Sequence, residues 1–452
     1  MQEKKTVRER TPIQLSDHFD FKKLIRFVMP SIIMMIFTSI YCVVDGIFVV
    51  NFAGKTPFAA INLIFPLIMI VGAFGFMLGA GGTAIVSKTL GMGNKERANE
   101  YFSLLVYTTV IVGVVVGALG IASARKVSEL LGAEGDMLRY CTIYARIVLT
   151  ALPFFMLQNV FQSFFIAAEK PKLGLFVTVA AGCTNIVLDA VLVGVLKLGL
   201  EGAAMATALS QTVGGVVPLI YFSRKNTSLL KLGRTKPYIR TLLSACVNGS
   251  SELMSNISAS IVTMLYNAQF MKLVGEDGVA AYGTIMYVSF FFVSIFIGFS
   301  IGSAPIIGFH YGADNRSELK NLRRKGFAVV GITGVAMCLL ALLIAKPTCV
   351  IFSGSDGALY EMTLRGFIIF SFSYLFSGIN IFGSAFFTAL NNGIVSAIIS
   401  FLRTLVFQCA FVTILPIFWG LDGVWFSIIV AEALSFAVTA LFVIAKRKKY
   451  GY

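Results

Sequence analysis

The chain has 452 residues, of which 57% are hydrophobic and 13% are charged, and its formal net charge is +15. About a quarter of the residues of a soluble domain are charged, so this composition excludes an ordinary soluble protein and predicts a chain that lies mostly in lipid. Nucleic-acid binding is also disfavoured, because the basic residues fall in short segments between apolar runs and no solvated domain could gather them into one patch. We expect no nucleic-acid partner.

Apolar runs of roughly 20 residues or more predict an all-α polytopic membrane protein with about twelve transmembrane helices. A polar tail precedes the first run, which is too long for the apolar region of a cleaved signal peptide, so we expect no such peptide. In chain order the predicted spans are 24–50, 57–86, 99–121, 141–167, 173–196, 202–222, 243–271, 279–309, 327–345, 363–389, 395–418 and 423–445.

The distribution of lysine and arginine predicts the orientation of these spans. Cytoplasmic loops of membrane proteins carry an excess of both residues. Of the 37 basic residues, few fall in the odd-numbered loops, and Arg146, Arg365 and Arg403 lie within predicted spans. Both termini are therefore predicted to be cytoplasmic. The basic residues of the odd-numbered loops are Lys55, Arg125, Lys126, Arg139, Lys197, Lys272 and Lys346.

The sequence repeats itself at a spacing of about 221 residues. SKTLGMGNKE resembles GFHYGADNRSE, and LEGAAMATALSQ resembles LDGVWFSIIVAE. Each half holds six predicted spans, which indicates two lobes related by an axis along the membrane normal. We predict an N-terminal lobe over 1–222 that includes a cytoplasmic tail, a cytoplasmic linker over 223–240, and a C-terminal lobe over 241–452 that ends in a short basic tail. Such a duplication favours a transporter, because two similar bundles can rock around a central site.

Polar residues inside the first-half spans suggest a cation site. Asn185 and Asp189, in NIVLD, are one helical turn apart and share a helix face. Asp45, in CVVDGIF, lies in the outer half of the first span, and Asp189 lies in the outer half of the fifth. The two carboxylates could therefore be at similar depth. Thr207 could add a hydroxyl from the sixth span. Two carboxylates and an amide form an oxygen-rich site for a monovalent cation, and burial would also let a carboxyl accept a proton reversibly.

The second half carries a different set of intramembrane charges: Glu252, Arg403 and Glu432. Such residues are functional by default, so they are candidates for coupling or substrate binding. A structural pair between Arg403 and Glu432 on neighbouring helices is an equally good interpretation.

The two loops 87–98 and 308–320, which occupy equivalent positions in the repeats, also have two interpretations. They could couple or gate transport on the cytoplasmic face, or they could be turns with helix caps and positive-inside charge, which is the commoner case. The seven cysteines are scattered through apolar runs without a CxxC motif, which favours small core residues over disulfides or a metal site.

Taken in order, these motifs resemble the multidrug and toxic-compound extrusion (MATE) family, in its MepA/DinF-like bacterial branch. The resemblance covers roughly residues 20–446 and rests on VVDGIFV, GGTAIVSKTLGMGNKERA, AAEKPKLG, NIVLDAVLV, LEGAAMATALSQ and GSAPIIGFHYGADN. It implies a V-shaped pair of six-helix lobes. It also implies a coupling site at Asp45, Asn185 and Asp189, with Thr207 at the hydroxyl position of span 6. Glu252 lies on the span where some branches use a glutamate, but it lacks the usual Gly-x-Pro context.

The expected function is a secondary active antiporter that exports organic, lipophilic cations in exchange for H⁺ or Na⁺ by alternating access. It would need no cofactor beyond the coupling ion, would act as a monomer among membrane lipids, and would lie in a bacterial cell membrane. A flippase for a lipid-linked oligosaccharide is the nearest alternative. An intramembrane enzyme or receptor is remote, since the spans contain no Ser/His, Cys/His or HExxH constellation.

Overall fold

The computed structural model describes residues 13–53, 55–353 and 357–452. Within these residues the chain is almost entirely helical and contains no β-strand. The α-helices are α1 (Phe21–Phe48), α2 (Lys55–Gly91), α3 (Lys95–Leu130), α4 (Gly135–Thr150), α5 (Leu152–Ala167), α6 (Pro171–Leu188), α7 (Gly199–Ser223), α8 (Ile239–Val274), α9 (Glu276–Gly312), α10 (Arg316–Ser353), α11 (Ala358–Ser371), α12 (Tyr374–Ala389), α13 (Gly393–Phe401), α14 (Gln408–Ala445) and α15 (Arg447–Tyr450).

These helices account for all twelve predicted spans, and most are longer than predicted. Eight helical segments of the described chain are long and apolar enough to cross a membrane, and two bent pairs raise that number to ten. One of the eight, Gly393–Ala445, covers two predicted spans, because Gly420 interrupts it with φ 55° and ψ −131°. Helix α8 falls outside this set; its centre carries polar residues that include Asn248, Glu252 and Asn256. The chain is a multi-pass membrane protein.

Matching bends occur in the two halves. Helices α4 and α5 meet at 54° and α11 and α12 meet at 48°, so each pair is one bent span. The first bend lies at Ala151 and the second at Phe372 and Ser373, about 221 residues later. In the first half, Pro153 enters the first turn of α5, where the missing N–H costs no hydrogen bond.

Helices α1 to α7 form one bundle and α8 to α14 form the other, and the bundles meet along α1, α2, α8 and α9. One close contact lies on the basic face, defined here as the side that carries loops 92–94, 168–170, 224–238 and 313–315. Gly91 and Gly312 end α2 and α9 there, and a methyl group on either would overlap a backbone carbonyl of the other helix. Farther along, Gly249 of α8 lies against the carbonyl of Met77 in α2.

Replacing Gly249 with valine is expected to separate the lobes on the basic face. The added side chain would overlap the backbone of α2, and such overpacking costs about 1–3 kcal/mol. Spin labels can be attached to cysteines that replace Met92 and Ile394, one in each lobe of an otherwise cysteine-free protein. The Gly249→Val variant should then show a larger population of long label-to-label distances than the protein with Gly249. Gly283→Val is the matched control, because a methyl group there meets nothing within 4 Å. An unchanged distance distribution in Gly249→Val would contradict this packing.

The equivalent loops after α2 and α9 are built in the same way. Asn94 accepts a hydrogen bond from the backbone N–H of Arg97 at 3.0 Å, and Asn315 accepts one from Glu318 at 3.1 Å. Each asparagine therefore caps the helix that follows, which satisfies a backbone donor at the helix start. The helix-cap interpretation of loops 87–98 and 308–320 is confirmed, and a role in gating stays a prediction.

A segment before α1 connects both lobes on the basic face. The backbone N–H of Leu15 donates to Oε1 of Glu169, between α5 and α6, at 2.6 Å. Phe19 donates to Oε1 of Glu318 in α10 at 3.0 Å, and Nδ1 of His18 lies 2.6 Å from Oε2 of the same glutamate. Leu15 and Phe19 are fully buried. Residues 15–19 therefore join the lobes where the lobes touch each other.

The segment between α7 and α8 is held against the first lobe. Lys231 donates its backbone N–H to the side chain of Asn99 at 2.8 Å, and Gly233 donates to Ser103 at 3.0 Å. The Tyr238 hydroxyl donates to Glu100 at 2.6 Å. These contacts run along α3, so residues 231–238 of the predicted linker are ordered and lie against that helix.

Candidate cation site in the first lobe

Helices α1 and α6 bring Asp45, Asn185 and Asp189 together. The two helices run in the same direction, and Gly182 of α6 lies against the rings of Phe37 and Tyr41. One turn farther along each helix, Asp45 reaches the side chains of Asn185 and Asp189. Asp189 is fully buried and Asn185 is 2% exposed. The three residues form one cluster, as the sequence predicts.

The cluster contains buried oxygens without hydrogen-bond partners. Among the described residues, Oδ1 of Asp45, Oδ1 of Asn185 and both carboxylate oxygens of Asp189 are buried and accept no hydrogen bond. Buried acceptors are almost always satisfied, and an unpaired one costs about 1–3 kcal/mol or more if it is charged. Bare carboxylate and amide oxygens are the ligands of hard cations, and a carboxylate can equally take a proton. The cluster therefore fits Na⁺ or H⁺.

Two stretches of π-helix flank the carboxylates. Val49–Ala53 continues α1 just after Asp45, and Asp189–Val195 continues α6 from Asp189 itself. π-Helical turns are rare and occur frequently at functional sites. The hydrophobic pattern of either stretch carries no signal for this conformation, so sequence reasoning missed it.

Side chains around the cluster add hydroxyl and amide groups. Thr207 of α7 lies beside the hydroxyl of Tyr144, and Tyr41 of α1 lies beside Gln158 of α5. Tyr144 and Gln158 are 3% and 7% exposed. Thr207 is near the site as predicted. Tyr41, Tyr144 and Gln158 were missed, because a tyrosine or glutamine in an apolar run gives no indication of which helix it faces.

The second lobe holds a closed ion pair instead of an open cluster. Nε of Arg403 donates to both carboxylate oxygens of Glu432, at 2.9 and 3.1 Å, and the Arg403 side chain is 16% exposed. Nδ2 of Asn380 donates to Glu432 at 2.7 Å, and Thr439 donates to the amide oxygen of Asn380 at 3.2 Å. These bonds connect α12, α14 and the π-helical turn Leu402–Phe407. The pair predicted between neighbouring helices is present.

Glu252 stands apart from this pair. It is half-buried on α8 and lies within electrostatic range of Arg403, but it forms no ion pair among the described residues. The second-half candidates thus fall into two groups. Arg403 and Glu432 form an ion pair with further hydrogen bonds, and Glu252 forms no ion pair within the described residues.

Comparison with known proteins identifies the family. A family model described as MatE matches residues 30–191 and matches again over residues 253–414. The chain belongs to the MATE family. The two matched stretches begin about 223 residues apart, in agreement with the repeat seen in the sequence. The predicted resemblance and the predicted all-helical, two-bundle fold are both confirmed.

Curated relatives and solved structures cover nearly the whole MATE chain. It is similar to the multidrug export protein MepA of Staphylococcus haemolyticus (strain JCSC1435), with 25% identity over 94% of this chain and 93% of the relative. MepA of Staphylococcus aureus (strain MRSA252) is 24% identical over the same shares. A structure described as the outward-facing conformation of a multidrug resistance MATE family transporter has a TM-score of 0.91 at 23% identity, and the match covers 98% of this chain and 99% of that one.

Proposed function

We propose that the protein is a secondary active multidrug antiporter, which exports organic and lipophilic cations in exchange for H⁺ or Na⁺. The observation that carries this proposal is the set of unpaired, buried oxygens at Asp45, Asn185 and Asp189. The names of the MepA relatives support export of several drugs, and the acidic character of the cluster favours cations.

The cluster suggests how an ion could drive the cycle. Two ionised carboxylates, the fully buried Asp189 and the half-buried Asp45, would repel each other without a nearby cation, and binding H⁺ or Na⁺ removes this repulsion. The ion then stabilises the lobe arrangement in which the cluster is most enclosed. Exchange requires that ion and substrate favour different arrangements of the two lobes, and the difference in affinity supplies the driving force. No cofactor enters this scheme.

The alternation would use the contact between the lobes. In the present arrangement α2 and α9 touch at Gly91 and Gly312 on the basic face. The opposite arrangement has to open this contact and to release residues 15–19 from Glu169 or from Glu318. By the positive-inside rule the basic face would be cytoplasmic, and both termini would then lie on the cytoplasmic side of a bacterial cell membrane. Residues 1–222 and 241–452 would then move as the two lobes of a monomer.

A lipid-linked oligosaccharide flippase fits the site less well. Its substrate carries phosphates, which require an unpaired cationic surface in the central cleft. The buried arginine of the second lobe, Arg403, is already neutralised by Glu432, and the first-lobe cluster is acidic.

The proposal is tested by drug accumulation in a bacterial host that lacks its own multidrug pumps. Cells that express the protein should accumulate several-fold less ethidium than cells with an empty vector, and a protonophore should abolish the difference if H⁺ is the ion. Equal accumulation with the protein demonstrably in the membrane would contradict an export function.

A further inference from the structure

An open groove lies between the basic-face halves of α1 and α6. Its volume is about 950 Å³, and its wall is almost wholly apolar. Met29, Ile33 and Phe176 are exposed along this wall, at 40%, 43% and 69%. The groove faces outward from the first lobe, and the contact with the second lobe is made by other faces of α1. It therefore opens sideways, toward the surrounding lipid.

Three cations stand at the end of this groove on the basic face. Lys22 and Arg26 are one turn apart on α1, and Lys172 lies in the first turn of α6. All three are exposed, and none is in an ion pair within the described part of the chain. The neighbouring Lys23, by contrast, is paired with Asp17 at 2.8 Å. Unpaired positive charge thus coincides with the mouth of an apolar groove.

At the equivalent place the described part of the second lobe has fewer exposed cations and a closer contact between the helices. The repeat of about 221 residues puts Leu243, Val247 and Gly393 at the positions of Lys22, Arg26 and Lys172. A methyl group on Gly393 would overlap the carbonyl of Val247, so the backbones of α8 and α13 touch where α1 and α6 leave a gap. A general excess of cytoplasmic charge does not explain this difference between two otherwise similar bundles.

We propose that the groove binds one anionic phospholipid from the leaflet at the basic face. The phosphate lies among Lys22, Arg26 and Lys172, and an acyl chain lies along the apolar wall. Basic residues near a membrane surface attract anionic lipids, and the wall adds apolar burial that a free phosphate cannot use. A lipophilic cation is repelled by the three charges. The proposal does not depend on the transport reaction.

Such a lipid would touch the two helices that carry the cation site. Helix α1 ends close to Asp45 and α6 ends at Leu188, next to Asp189. The groove occupies their basic-face halves, and the carboxylates lie in the opposite halves. Lipid in the groove therefore fixes the spacing of this helix pair without contacting the cluster.

The test is lipid binding to the delipidated, full-length protein, measured by native mass spectrometry. Wild-type protein should bind phosphatidylglycerol at least tenfold more tightly than phosphatidylcholine. The triple variant Lys22→Gln/Arg26→Gln/Lys172→Gln should lose this preference, since each cation contributes about a fivefold factor. Glycerol phosphate should not displace the bound phosphatidylglycerol. Preference retained by the triple variant, or displacement by glycerol phosphate, would overturn the proposal.

Two further variants separate the groove from general surface charge. Arg224→Gln/Lys225→Gln/Lys320→Gln removes three exposed cations elsewhere on the basic face and should bind phosphatidylglycerol like the wild type. Ile33→Trp places a larger side chain in the groove, leaves the three cations in place, and should weaken the binding of phosphatidylglycerol. An equal loss of phosphatidylglycerol preference in the control variant would show that the lipid is attracted by general surface charge. An oligomer in the spectra that the triple substitution dissociates would show that a second copy of the chain occupies the groove. Either result would contradict the proposal. Unchanged melting temperatures confirm that the variants fold.

Discussion

Replacing Asp189 with asparagine is expected to reduce ethidium export to the level of cells without the transporter. The substitution keeps the shape of the side chain but removes the buried charge that the coupling ion would neutralise. Asp45→Asn is expected to have the same effect, because its carboxylate shares the site. The measurement is ethidium accumulation, normalised to the amount of protein in the membrane. Asp136→Asn, which changes an exposed aspartate at the start of α4, is the matched control and should export normally.

Thermal unfolding of the same variants distinguishes a functional carboxylate from a structural one. Both oxygens of Asp189 are buried without partners, so the burial of this carboxyl group is unfavourable whether it is ionised or has taken up a proton. In buffer at neutral pH without Na⁺, Asp189→Asn should therefore unfold at a higher temperature than the wild type. Residues held for function often reduce stability in this way. A lower melting temperature together with normal export would refute the assignment of Asp189 to the coupling site.

Among the substitutions considered for this protein, replacing Arg403 with methionine is expected to lower the free energy of unfolding the most. It would leave Glu432, whose side chain is 2% exposed, with a buried charge and only the amide of Asn380 as a side-chain donor. Breaking a buried pair in this way costs about 3–5 kcal/mol. The double variant Arg403→Met/Glu432→Leu removes both charges and should recover much of that loss. The melting temperature of the purified protein measures both effects.

The matched control is the exposed pair of Arg365 with Asp422. The Arg365 side chain is 67% exposed, and an exposed ion pair contributes at most about 1 kcal/mol. Arg365→Met should therefore lower the melting temperature far less than Arg403→Met. Similar decreases in melting temperature in the two variants would show that the pair of Arg403 and Glu432 does not stabilise the second lobe more than an exposed ion pair does.

The sequence predicted the number of spans, the repeat and the principal cluster because each follows from local chemistry. Twenty apolar residues are needed to cross a bilayer, and a carboxylate such as Asp189 in an apolar run has a cost that needs a functional explanation. The spacing of Asn185 and Asp189 fixed their common face. Helix ends were underestimated, since α3 and α10 continue beyond the apolar runs into polar residues that leave the membrane.

Other features depend on packing between distant segments. The sequence left two interpretations of Arg403 and Glu432 open, a functional site and a structural pair. The hydrogen bonds that Glu432 accepts from Arg403 and Asn380 favour the structural pair. No pattern predicted that residues 15–19 join both lobes, because the partners Glu169 and Glu318 are far away in the chain. The π-helical turns at the candidate cation site could not be predicted either, since they replace an α-helical turn without changing the composition.

Ethidium transport into everted or reconstituted vesicles, with an imposed Na⁺ gradient or an imposed pH gradient, tests the central claim most directly. One of these gradients should drive transport by the wild-type protein, and neither should drive transport by Asp45→Asn or Asp189→Asn. Transport by both variants at the wild-type rate under the active gradient would contradict the assignment of the first-lobe cluster as the coupling site.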